Sequence, residues 1–424
     1  MTPREQLIKT LSHEMPNRLC VDMGAGGQTG IGATALHYFN QASLPGYKEK
    51  VMIIEPYHML GEVEEPLPKK LHLDVVGVPG SATLFEFRNE NWKPFTMPDG
   101  TEILVSGNFN YTNDENGAFL IYPEGDLSVL PSAKMLESRF FFDAIMRQEP
   151  IDDERLKLQD NADDFGISSE KDLKYYAQTT RKLYEETDYG IYITIQGMAF
   201  GDIALVPATW RKQTKRIRDI QQWYMSLIMR ADYIYQVFEK QCEIALKNVE
   251  LLVKVIGHHA QVVFVSGTDF GTQNSLFLDP ETYRSLFKPF QNAINTKIHE
   301  LTDWKIFIHN CGAIYDLIPD LIEAGFDVLN PIQVSTTGMD AKRLKAEFGK
   351  DLVFWGGGLD MQKTLPFGTP EEVYREVRER IDIFSEGGGY VFNSIHNILI
   401  NLQVENILAM FRGVNDARGI KSDF

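Results

Sequence analysis

From residue 262 onward the sequence repeats one rhythm, a short apolar run followed by a longer stretch of helical period. Run 262–265 (V-V-F-V) precedes a helix from about Pro280, run 305–308 a helix over 314–323, and run 326–329 a helix over 340–348. Run 352–355 then precedes a helix over 370–384, and run 390–392 a last one over 404–412. Continuous apolar runs of this length read as strands covered on both faces, and strands separated by helices run parallel. Three earlier runs, 19–23, 74–79 and 191–195, bring the number to eight. Eight parallel strands with intervening helices close into an α/β fold, the (β/α)8 or TIM barrel, whose active site opens at the C-terminal ends of the strands.

The rest of the chain fits around that barrel. Thr2-Pro3-Arg4-Glu5 is a capping box with proline at the first helical position, and it starts a helix over 3–12. Residues 83–126 follow a different pattern, in which Met97-Pro98-Asp99-Gly100 is a turn and alternation around Asn113-Asp114-Glu115-Asn116-Gly117 reads as β-hairpins. This is expected to be a hairpin insertion in a single barrel domain covering 1–424. Residues 132–147 and 169–187 are acid-rich and read as helices. Residues 212–256 are helical in pattern and too long for one ordinary helix, with Met225, Ile228 and Met229 expected in the core.

Composition excludes several classes. A net charge of −17 does not supply the basic surface that phosphate backbones require, so no nucleic-acid partner is expected. Cys20, Cys242 and Cys311 are too few and too far apart for a disulfide framework, which fits a reducing compartment, and the cytoplasm is the expected location. The N-terminus lacks the basic-then-apolar pattern of a signal peptide, and no run of 18 apolar residues is present to span a membrane.

All strand ends of a barrel share one rim, so the polar residues there are the candidates for chemistry. Run 305–308 is followed by His309, Asn310, Cys311 and Gly312. In extended chain, residues i and i+2 face one side, so His309 and Cys311 can point at one ion. Imidazole with thiolate suits zinc, which in catalytic sites takes three protein ligands and keeps one position open. Alone, the pair also fits a packed cysteine beside a hydrogen-bonded histidine. His396 follows the last strand on the same rim and is the best third ligand, with Asn393 or Asn397 to orient it. Asp269, after run 262–265, reads as a general acid, a weak fourth ligand, an orienter of histidine, or a helix cap. Gln196, Asn310, Gln333, Asp360 and Asn393 are the expected substrate contacts.

Two other features carry less. The run Gly24-Ala25-Gly26-Gly27-Gln28-Thr29-Gly30 has neither the G-x-G-x-x-G spacing nor the Gly-Lys-Ser/Thr ending of a phosphate loop. It reads as a strand-end loop whose backbone lies close to its neighbours or to a ligand. His258-His259 precedes a strand, at the end opposite the rim.

The motifs T-P-R-E-Q-L (2–7), H-E-M-P-N-R (13–18), T-D-F-G-T-Q (268–273), H-N-C-G (309–312), N-P-I-Q (330–333), G-G-G-L-D (356–360) and G-G-G-Y-V-F-N-S-I-H-N-I (387–398) run through nearly the whole chain. With them it resembles the uroporphyrinogen decarboxylase superfamily, in particular the zinc-dependent, corrinoid-linked methyltransferases of that fold. Those methyltransferases resemble it in carrying His-x-Cys-Gly after a strand and one more ligand, usually Cys, after the last strand. The first two positions carry over onto His309 and Cys311, and the last is His396, a departure from the usual pattern. The decarboxylase's arginine-bearing R-Q-A-G-R is replaced by Met23-Gly24-Ala25-Gly26-Gly27-Gln28, which has no partner for a polycarboxylate.

The resemblance implies methyl transfer from a small methylated donor, such as a methyl ether (O-demethylation), to the cobalt of a corrinoid. No D-x-H-x-x-G corrinoid motif is present, so the cofactor is expected on a separate corrinoid protein. The competing readings are a methylcobalamin:thiol methyltransferase, a metal-free decarboxylase like uroporphyrinogen decarboxylase, and a non-catalytic barrel that binds a tetrapyrrole or a corrinoid protein.

Overall fold

The structure, a computed structural model, describes residues 1–399 and 403–422. Eight parallel strands form one sheet: β1 Cys20–Val21, β2 Val75–Val78, β3 Gly190–Thr194, β4 Val262–Ser266, β5 Lys305–His309, β6 Val328–Asn330, β7 Val353–Trp355 and β8 Tyr390–Phe392. They follow in the order β1-β8-β7-β6-β5-β4-β3-β2, a nearly closed (β/α)8 barrel with helices outside it, in agreement with the sequence reading. Among the described residues no helix is long and apolar enough to cross a membrane.

Strand alternation fills the barrel axis. Cys20, Val75, Tyr192, Val262, Phe264, Phe307, Val328, Val353, Trp355 and Val391 form one buried cluster. Its centre is aromatic, with the Phe307 ring 5.1 Å from Tyr192 and 5.5 Å from Trp355. Ala25, and Leu7 and Leu11 on the helix Pro3–Leu11 started by the Thr2 capping box, complete the cluster. A residue two places after Phe307 on β5 must face the same axis one layer higher, and that residue is His309.

β1 and β2 share no ladder, and Asp74 closes the gap between them. Its N–H donates to the Val21 carbonyl at 2.9 Å, and its carboxylate accepts the Val21 N–H at 3.0 Å. Arg18 (2.6 Å) and Arg418 (3.0 Å) pair with that carboxylate, which like the Arg418 side chain is inaccessible to solvent. Higher up, the glycine-rich loop closes the same seam. A Cβ on Gly77 would lie 1.8 Å from the Ala25 carbonyl oxygen, so β2 requires glycine where that loop passes.

Between β2 and β3 the antiparallel strands run on to Ala144, beyond residue 126. Lys93–Thr96 pairs with Glu102–Val105, and Tyr111–Asn113, Phe119–Ile121, Ala133–Met135 and Asp143–Ala144 form a four-stranded sheet. The helix expected over 132–147 is therefore replaced by two strands. Ala133 and Met135 are buried while Lys134 between them pairs with Asp114 at 2.5 Å, a period of two rather than 3.6.

The region 212–256 also departs from expectation. Residues 212–219 are not helical; Arg216 and Arg218 are held there by Asp160 and Asp164. Two helices follow, Ile220–Met229 and Ala231–Ile256, separated at Arg230. The first packs through Trp223, Ser226 and Leu227, which turns Met225, Ile228 and Met229 outward, at 46%, 82% and 64% exposed. Their expected burial is thus overturned: this helix is apolar on both faces and only one is covered.

The Asp74 staple yields a prediction. Asp74→Ala leaves two arginines without their buried carboxylate, a change that typically costs about 3–5 kcal/mol. The denaturation midpoint should fall accordingly, and a loss below about 1 kcal/mol would show that the seam does not depend on this pair.

Candidate metal centre

β5 pairs with β6 so that His309 stands opposite Asn330. Asn330 Nδ2 donates to the Trp355 carbonyl at 2.8 Å, which turns its Oδ1 toward His309 Nδ1, 2.6 Å away. An amide oxygen only accepts, so the imidazole proton sits on Nδ1 and the lone pair of Nε2 points the other way. It points at Cys311 Sγ, 3.3 Å distant. Bonds of about 2.0 Å to nitrogen and 2.3 Å to sulfur at a tetrahedral angle put these two ligand atoms roughly 3.5 Å apart.

Cys311 is held by its backbone. Asp269 Oδ1 accepts its N–H at 2.6 Å, and Gln333 Oε1 accepts the Gly312 N–H at 2.8 Å. Gly312 has φ +97°, and a Cβ there would fall 2.4 Å from the Gly271 carbonyl carbon, so the sharp exit after Cys311 needs glycine. His396 comes from the loop after β8, its ring centroid 5.0 Å from that of His309. The ligand atoms of His309, Cys311 and His396 all lie within 4.8 Å of one another.

Burial and charge act together on this cluster. Burial lowers the His309 pKa against the opposing pull of Asp269. Burial drives His396 well below the usual range, with His309 and then His58 adding to the effect. Burial also raises the Cys311 thiol well above its ordinary value, and Asp269 raises it further. All three side chains are therefore neutral without an ion, and a dication would reverse the balance at the thiol. The donor set fits zinc, with one adjustment: His396 Nδ1 accepts the Asn397 N–H at 2.8 Å, a bond to be exchanged if Nδ1 is to bind an ion.

The other expected site residues separate into two groups. Gln333 and Asp360 line the cleft that contains Cys311 and His396. Gln196 lines a second cavity, tied by its Nε2 to the Ala82 carbonyl at 3.0 Å. Asn310 and Asn393 are buried and line neither space: Asn310 Oδ1 accepts the Phe270 N–H, and Asn393 Nδ2 donates to the Asp22 carbonyl. Asn397 ties the rim to the glycine-rich loop, accepting from Gly30 N–H and donating to the Gly27 carbonyl, both at 2.8 Å. His258 and His259 lie before β4, at the far end of the barrel.

The second cavity, about 410 Å³, is lined by the glycine-rich loop, the loops after β2 and β3 and residues 82–89 ahead of the inserted strands, and is mostly apolar, with Tyr57, Trp210, Trp223 and Phe264 among its walls. Three titratable groups on it escaped the sequence reading. Asp202, in the loop after β3, is pushed up to about 7 by burial, with the Asp269 carboxylate adding to the rise. Glu55 and His58 lie on a hairpin between β1 and β2 and are joined at 2.9 Å. Asp202 could have been found as a carboxylate following a strand; the hairpin pair belongs to no strand-helix unit and gave no comparable signal.

Residues 146–417 match the family described as uroporphyrinogen decarboxylase (URO-D). Among solved structures, a methyltransferase from Methanosarcina mazei aligns over 98% of this chain and 99% of its own, with a TM-score of 0.54 at 16% identity. An endo-glycoceramidase II from Rhodococcus sp. aligns over 67% of this chain and 75% of its own, with a TM-score of 0.34 at 10% identity, too distant for comparison. No curated protein sequence matches the chain. The family match covers well over half of the sequence, including β3 through β8 and every residue of the His309, Cys311 and His396 cluster, and the chain belongs to the uroporphyrinogen decarboxylase family.

Proposed function

We propose that this protein is a zinc-dependent methyltransferase that moves a methyl group from a small methylated donor, such as a methyl ether, to the cobalt of a corrinoid carried by a separate protein. The observation that carries the reading is the cluster of His309, Cys311 and His396 at the barrel mouth, its ligand atoms within 4.8 Å of one another. The full-length likeness in fold to a methyltransferase supports it. So does the cavity wall, where Arg218 is the single Lys or Arg among the described lining residues and is spent on Asp164 at 2.5 Å. A substrate with many carboxylates finds no free cation there, which disfavours the porphyrinogen decarboxylase reading.

A zinc ion held by His309, Cys311 and His396 would supply a Lewis acid for the heteroatom that releases the methyl group. The chain's own groups set the geometry. Asn330 and the Trp355 carbonyl fix the His309 tautomer, and Asp269 fixes Cys311 through its N–H and orients the leaving group. The apolar cavity would shield a bound donor from water. Met225, Ile228 and Met229, on a helix between the mouth end of β3 and the long return helix, leave an uncovered apolar surface that suits a docking protein.

Two measurements test this. Mass spectrometry of the purified protein should find one zinc per chain, and Cys311→Ser should lower that occupancy; unchanged occupancy removes Cys311 from the ligand set. Mixed with cob(I)alamin and a panel of methoxylated aromatics and methylamines, the protein should convert cobalt(I) to methylcobalt(III), followed by absorbance. No conversion with any donor, together with methyl transfer from methylcobalamin to a thiol, would move the protein to the acceptor side of corrinoid chemistry. Silence in both assays would favour a decarboxylase or a binding protein.

A further inference from the structure

The hairpin formed by Ile53–Glu55 and Leu60–Gly61 lies outside both the barrel and the inserted sheets, yet its tip forms part of the cavity wall. That tip is fastened from two sides. The inserted strands hold it through Phe142 N–H to the Tyr57 carbonyl (2.7 Å) and Ala144 N–H to the Tyr57 hydroxyl (3.1 Å). The barrel holds it through Ala33 N–H to the Met59 carbonyl and Gly61 N–H to the Ile31 carbonyl, both 2.9 Å. A turn clamped in this way presents its side chains at fixed positions.

Within the tip, the Glu55 carboxylate accepts the N–H groups of Tyr57 and His58 at 2.8 Å each and the ring Nδ1–H of His58 at 2.9 Å. Nδ1 is therefore committed, while Nε2 has no hydrogen-bond partner among the described residues. The His58 side chain is 33% exposed, and the surface it exposes is part of the cavity wall. Burial pulls the His58 pKa down, but Glu55, with Asp143 beyond it, more than offsets this and holds it above the ordinary value. The His58 charge is near enough to the metal cluster to act on both His309 and His396.

Methyl transfer from an ether leaves an alkoxide or phenolate that needs a proton. In the candidate metal cluster the His309 Nδ1–H is already bound to Asn330 and the Cys311 N–H to Asp269. Asp202, on the same wall, accepts the Ala204 N–H at 2.9 Å, and losing a proton would set its charge beside that of Asp269. His58 loses a proton to become a neutral ring. We propose that His58, oriented by Glu55, is the proton donor to the leaving heteroatom in this cavity, a further catalytic residue.

The inference rests on the methyl-transfer reading above, and the step balances. The heteroatom–methyl bond breaks, and cobalt(I) of the corrinoid supplies the electron pair for the new bond, becoming methylcobalt(III). The heteroatom keeps the old bonding pair, takes the proton from His58 Nε2 and leaves as an alcohol or phenol. Glu55 remains a carboxylate throughout.

The test varies the leaving group. With cob(I)alamin as acceptor, His58→Gln and Glu55→Gln should slow demethylation of an unactivated methyl phenyl ether by about 10²-fold or more, the usual contribution of a general acid. Both variants should demethylate methyl 4-nitrophenyl ether at nearly the wild-type rate, since nitrophenolate leaves without a proton. Equal losses on both ethers, or no loss on either, overturn the proposal. A wild type that methylates no cobalt at all refutes the methyl-transfer reading itself. A second arm needs no cobalt: 4-nitrophenol binding followed by absorbance should weaken by at least about tenfold in both variants, and unchanged binding overturns the His58 contact.

Discussion

The three aromatic rings of Tyr192, Phe307 and Trp355 occupy the barrel axis, and what lies above them depends on that filling. Because a strand alternates its faces, β5 cannot place Phe307 in this layer without placing His309 in the next. The same packing fixes Trp355, whose carbonyl orients the Asn330 amide, which in turn settles the tautomer of His309. The apolar core thus extends its order by hydrogen bonds into the polar rim. A histidine aimed at a thiol 3.3 Å away is the outcome.

The opposite seam is built from unlike parts. At its base Asp74 substitutes a carboxylate for missing ladder partners, and at its top the glycine-rich loop presses its backbone on Gly77. That loop is tied to the strand-eight rim through Asn397, next to His396. The glycines therefore serve close packing of backbone on backbone, and the third member of the candidate metal cluster is positioned from the same junction.

Most of the barrel was legible because its strands are covered on both faces, which writes them as short apolar runs between helices. The rim residues followed from that, and the structure brings His309, Cys311 and His396 together. Residues 132–147 were misread because their alternation, Ala133 and Met135 around Lys134, is only three residues long and is followed by a charged and aromatic stretch. Met225, Ile228 and Met229 have the spacing of a buried face, but spacing cannot tell which of two apolar faces finds a partner. Glu55 and His58 sit on a hairpin between β1 and β2, and only the fold shows that its tip reaches the cavity.

The central claim is that the rim binds a metal ion through two imidazoles and a thiolate. The most direct measurement is a crystal grown without added metal, with anomalous scattering recorded on both sides of the zinc absorption edge. The account predicts one strong peak within bonding distance of His309 Nε2, Cys311 Sγ and a ring nitrogen of His396, present above the edge and weak below it. A clean map at that position, with Asn397 still bound to His396 Nδ1, would contradict it.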